Sequence, residues 1–161
     1  MYILERLFLI SSLTIIFISV WFIPKEKRAQ ASFIFFTTQF FTWIMGLTVV
    51  ELNWLEYPVR EFYKANGTSF SFEYFSLPVI TIFFILYYPS NKPYIIRLIY
   101  NLSFSLSITV IEHFIEKYTL VIKYLSWKWY WTSISVLIVF HLVMFIYKWF
   151  FKLNGSKDSL D

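Results

Sequence analysis

Ala29–Val50 reads AQASFIFFTTQFFTWIMGLTVV, and this stretch decides the fold. It holds no charged side chain and is interrupted by hydroxyls, Gln39 and Gly46. A helix needs about 20 residues to cross the roughly 30 Å hydrocarbon core of a bilayer. The stretch has that length and that composition, so it is predicted to be a membrane span.

Working outward, four more spans follow from the same arithmetic. Upstream, 7–23 is apolar and ends at Pro24. A secretory leader would need a basic start and a small-residue cleavage site. Here Glu5 offsets Arg6, and Pro24-Lys25-Glu26-Lys27-Arg28 follows the run, so it reads as a retained span. Downstream, 72–88 closes at Pro89, 94–115 carries Arg97 and Asn101 near one end, and 131–151 has His141 near its middle. Pro78 lies inside the third span. Proline lacks the backbone donor for the carbonyl four residues back, so a kink is expected, with the Tyr74 carbonyl seeking water or a side chain. The predicted fold is therefore an all-α, polytopic membrane helix bundle in a single domain over 1–161.

Composition agrees. Of 161 residues, 58% are hydrophobic and 15% charged, against about 25% charged in soluble domains, and mean hydropathy is +0.61. This excludes a soluble globule, a disordered chain and a nucleic-acid module. Continuous rather than alternating apolar runs argue against a β-barrel. With no cysteine, thiol catalysis, disulfides and Cys-based metal sites are excluded.

Two linking segments are amphipathic. Glu51–Phe70, ELNWLEYPVREFYKANGTSF, contains the Asn66-Gly67 turn signal, and Pro58 would start a short helix running to Ala65. Lys117–Tyr130 is basic and rich in Trp and Tyr. Both read as segments lying at the headgroup level. Residues 154–161 read as a solvated tail.

Loop charge orients the bundle. With the N-terminus outside the cytoplasmic membrane and the C-terminus inside, the inner side holds 8 Lys/Arg (Lys25, Lys27, Arg28, Lys92, Arg97, Lys148, Lys152, Lys157) and the outer side 6. Most of the acids fall on the outer side.

Charges at bilayer depth are costly and are functional candidates by default. Glu51, Glu56, Glu73, Glu112 and Glu116 all fall near the outer ends of spans two, three and four. Glu112 and Glu116 lie one helical turn apart, with His113 near their face and Arg60 and Lys64 in the adjoining loop. The predicted cluster is Glu51, Glu56, Arg60, Glu73, Glu112, His113 and Glu116. Such a set can hold a hard cation or relay protons, or it can cap spans and pair with Arg60, Lys64 or Lys117. No established metal motif matches it. His141 is expected to bond a neighbouring helix, with Asn101, Ser103, Ser105 and Ser107 as partners, and Arg97 to snorkel to the inner headgroups. Catalytic residues and cofactors are not expected: no nucleophile elbow or phosphate-binding glycine loop is present.

The segment Glu51-Leu-Asn-Trp-Leu-Glu-Tyr-Pro-Val-Arg-Glu-Phe, with Thr68-Ser-Phe-Ser-Phe-Glu-Tyr, Leu77-Pro78, Tyr87-Tyr-Pro89 and Trp21-Phe-Ile-Pro-Lys, resembles the signature of an uncharacterised family of small multipass membrane proteins of spore-forming Gram-positive bacteria. The similarity covers Trp21 to about His141. It implies a cytoplasmic-membrane helical bundle and no particular reaction. It draws attention to Glu56, Pro58, Arg60, Glu61, Phe62, Thr68, Phe70, Phe72 and Glu73. The expected role is a structural or accessory subunit partnered by the lipid bilayer and by another membrane protein or a second copy. The alternative is a small ion- or proton-coupled channel or transporter built on the carboxylate cluster.

Overall fold

The computed structural model describes residues 2–152; the tail read over 154–161 lies outside them. The fold is all-α. Four helices are long and apolar enough to cross a membrane: α1 (Ile3–Val20), α2 (Arg28–Glu51), α4 (Tyr94–Tyr118) and α5 (Trp129–Phe150). The latter three match the expected spans within a few residues, and α1 begins four residues before its expected start. Proline bounds the helices where its fixed φ and missing donor allow: Pro24 follows α1, and Pro93 precedes α4.

The third apolar stretch is a shorter, two-part element. A π-helical turn over Ser71–Ser76 runs directly into α3 (Leu77–Leu86). Pro78 is the second residue of α3, and because the π turn runs straight into it, its missing N–H leaves the Tyr74 carbonyl without that donor. The chain before Pro78 is thus a π turn, and side chains of α2 reach two of its carbonyls. Gln39 Nε2 donates to the Tyr74 carbonyl at 3.3 Å, and Thr42 Oγ1 donates to the Glu73 carbonyl at 2.8 Å.

α3 is the centre of the bundle: Leu77, Val79, Thr81, Ile82, Phe84 and Ile85 are all buried. It packs against α2 and α5, while α4 lies against α5 and α1 rests on the π turn. The Phe84 and Phe140 rings stack at 4.3 Å between α3 and α5, in the core cluster that also holds Ile34 of α2. Interior hydroxyls bond their own helix: Thr38 to the Ile34 carbonyl, Thr81 to that of Leu77. Close van der Waals packing of this kind, rather than water exclusion, holds helices together in lipid.

The links after α2 and α4 meet. β1 (Leu55–Glu56) pairs antiparallel with β2 (Lys123–Tyr124), Leu55 opposite Tyr124 and Glu56 opposite Lys123. The Trp54 carbonyl accepts from the amides of Leu125, Ser126 and Trp127, and Val59 N–H donates to the Leu120 carbonyl at 3.0 Å. Correcting the sequence reading, no helix forms over 58–65. Leu55, Tyr57 and Val59 are buried along a link that is strand at Leu55–Glu56 and bends at 58–59, and 61–65 is a turn. Arg60 ties that turn, donating to the carbonyls of Asn66 and Tyr57, both at 2.6 Å, and of Tyr63 at 3.3 Å.

Candidate functional site: a two-carboxylate cavity

The predicted acids separate. Glu51 is exposed at the end of α2. Glu56 forms a surface ion pair with Lys123 at 2.9 Å. His113 is exposed and lies 4.0 Å from Glu116, apart from the interior. Arg60 serves backbone carbonyls and makes no ion pair among the described residues. The expectation that Glu112, His113 and Glu116 share one site is corrected here: α4 turns Glu112 inward, which carries His113 to the outer face.

Glu73 and Glu112 face one cavity. They are 3% and 9% exposed, and both line one partly open cavity of about 80 Å³ between α2, the π turn, α3, α4, α5 and the two paired links. Glu112 Oε1 accepts from Tyr124 Oη and from Thr132 Oγ1, each at 2.6 Å. Thr132 in turn accepts from Trp127 Nε1 at 2.9 Å, so indole, hydroxyl and carboxylate form a chain. The Glu73 carboxyl faces the hydroxyls of Tyr57 and Thr68, and its Oε2 has no hydrogen-bond partner. No Lys, Arg or His lines the cavity among the described residues.

Gly46 makes the Glu73 position possible. A Cβ at residue 46 would collide with the Glu73 carboxyl, so the carboxyl lies directly on the backbone of α2. The two links supply phenols that respond to this setting. Burial first, then the neighbouring Glu73 and Glu112, push the Tyr57 hydroxyl well above its usual value. Tyr124 is raised by burial, then by Glu112.

Sequence reasoning singled out both acids but missed Gly46, Tyr124, Trp127 and Thr132, and gave Tyr57 no more than an interfacial place. Among the described residues no group of three His, Cys, Asp or Glu side chains converges as a metal-ligand set. His141 lies elsewhere, with Nδ1 2.8 Å from the Leu137 carbonyl of its own helix. Of its expected partners, Ser105 instead bonds Ser133, and Ser103 bonds its own helix.

Comparison with protein families, curated proteins and solved structures finds no match for this chain.

Proposed function

We propose that the chain is a plasma-membrane protein that crosses the bilayer five times, N-terminus outside and C-terminus inside, and carries a proton or small cation on Glu73 and Glu112. The observation that carries this reading is the convergence of both buried acids on one cavity with no basic residue on its wall. An ionised carboxylate there meets no basic side chain on the cavity wall among the described residues, and burying an unpaired charge is costly even where hydroxyls bond it. A bound proton or cation removes that cost. A site that alternates between the two is the elementary requirement of proton-coupled transport.

The pairing of β1 with β2 supports five crossings. It holds the ends of α2 and α4 on one side, so the intervening chain must go across and return. α4 makes one of those passes, and Ser71–Leu86 is then the other, about 24 Å long at helical rise. Cysteines introduced at Ser32 and Asn66 test the topology. Impermeant reagent on intact cells should label the second and spare the first. The resemblance to the spore-former membrane family agrees with this bundle and adds no reaction.

The functional test uses purified protein in vesicles loaded with a pH-sensitive dye, with sodium, potassium or tetramethylammonium as the counter-moving probe. Wild type should collapse an imposed pH gradient faster than empty vesicles with at least one cation, and Glu73→Gln and Glu112→Gln should not. Equal rates throughout would return the chain to the second reading, a structural or accessory subunit beside another membrane protein or a second copy. That reading draws on α1, in which Leu9 is the one buried side chain.

A further inference from the structure

At the opposite end of α4 a second polar cavity has the reverse charge. It measures about 320 Å³ and is lined by Tyr88, Tyr94, Arg97, Asn101, His141 and neighbouring leucines. Arg97 lies one turn into α4, close to the helix N-terminus, where the backbone dipole is positive. Its Nε is buried without a hydrogen-bond partner, and so is Asn101 Oδ1. Arg97 makes no ion pair among the described residues. Lys148 adds a second cation, its Nζ 5.7 Å above the Tyr88 ring at the cavity wall. Among the described residues no acidic side chain lines the cavity.

A guanidinium with unused donors presents a planar fork that fits phosphate oxygens. We propose that this cavity binds the headgroup of an anionic glycerophospholipid, with the phosphate on Arg97, Lys148 as the flanking charge, and Asn101 Oδ1 accepting from a headgroup hydroxyl. Lipid rather than free phosphate is the occupant because the apolar surface continues from the cavity along the bundle. Leu102 of α4 and Ile138, Leu142 and Phe145 of α5 are exposed beside it and offer a track for acyl chains. Basic pockets between spans near a membrane surface recognise headgroups in this way. This site is independent of the carboxylate cavity.

The test is native mass spectrometry of full-length protein in neutral detergent with added phosphatidylglycerol, phosphatidylcholine or inorganic phosphate. Wild type should retain phosphatidylglycerol at least about fivefold over phosphatidylcholine, the factor expected for one surface cation. Arg97→Gln should abolish the preference. Lys64→Gln, a cation at the other end of the bundle, should keep it. Equal retention of the two lipids by wild type, an undiminished preference in Arg97→Gln, or retention of inorganic phosphate that lipid does not displace would each overturn the assignment. Should Arg97→Gln fail to fold, Lys148→Gln carries the test: its preference should fall about twofold or more, and an unchanged preference overturns the assignment.

Discussion

Replacing Gly46 by alanine separates sterics from intrinsic helix preference at the carboxylate cavity. Gly46 is buried inside α2, and a β-carbon there would collide with the Glu73 carboxyl. Alanine gains about 1 kcal/mol over glycine in a helix interior. Against this, the Glu73 carboxyl must swing away into the cavity and leave the Tyr57 and Thr68 hydroxyls, and losing such buried hydrogen bonds costs about 1–3 kcal/mol. The expected net effect of Gly46→Ala is a loss of about 1 kcal/mol. In a Glu73→Ala background the obstruction is gone, so the same substitution should stabilise by about 1 kcal/mol. The sign reverses, and the coupling between the two positions is about 2 kcal/mol. Glu73→Gln keeps the side-chain volume, so in that background Gly46→Ala should remain destabilising. Equilibrium unfolding of the five proteins and wild type in mixed micelles reads all three effects. If Gly46→Ala stabilises equally in every background, the close approach of Glu73 to α2 is wrong.

Two further predictions concern the links. Tyr57 has its pKa raised by burial, then by Glu73 and Glu112; its contribution to stability is therefore complete below the unfolded value of about 10 and is lost as pH climbs towards the folded value. Wild type should lose more stability than Tyr57→Phe between about pH 9 and 11, and parallel unfolding curves would refute this. Arg60→Lys removes the fork that reaches three backbone carbonyls, which should cost about 1–3 kcal/mol and show as faster protease cleavage between 57 and 66; unchanged cleavage would argue against the clamp.

The long helices were legible because lipid leaves the backbone no other choice: every N–H and C=O must be satisfied within an apolar segment. α2 and α5 accordingly fall within two residues of 29–50 and 131–151. The third stretch was legible in its chemistry more than its shape. Pro78 announced an orphaned Tyr74 carbonyl, and Gln39 reaches it. That the chain would answer with a π turn depends on Gln39 and Thr42 being opposite, which sequence spacing does not state. The link after α2 was misread because Pro58 was weighed as a helix starter. The alternation Leu55, Tyr57, Val59 pointed to extended chain, and the partner strand lay some 67 residues further on, from Glu56 to Lys123.

At the site, helical spacing told which residues share a face but not which face turns inward. Glu112, His113 and Glu116 are close in sequence, yet burying Glu112 against Tyr124 and Thr132 forces His113 out. The overlooked signal was glycine. The chain has three, and Gly46 alone lies inside a predicted span. Glycine in a helix interior gives up about 1 kcal/mol relative to alanine, so its presence there implies a close approach by some other group. The group is Glu73, set against the one turn of α2 that has no side chain to exclude it. Small residues in membrane helices usually let two backbones meet; here the space admits a carboxyl instead. A carboxyl seated in this way, with one oxygen unpartnered, is the group on which the proposed exchange of a proton or a cation rests.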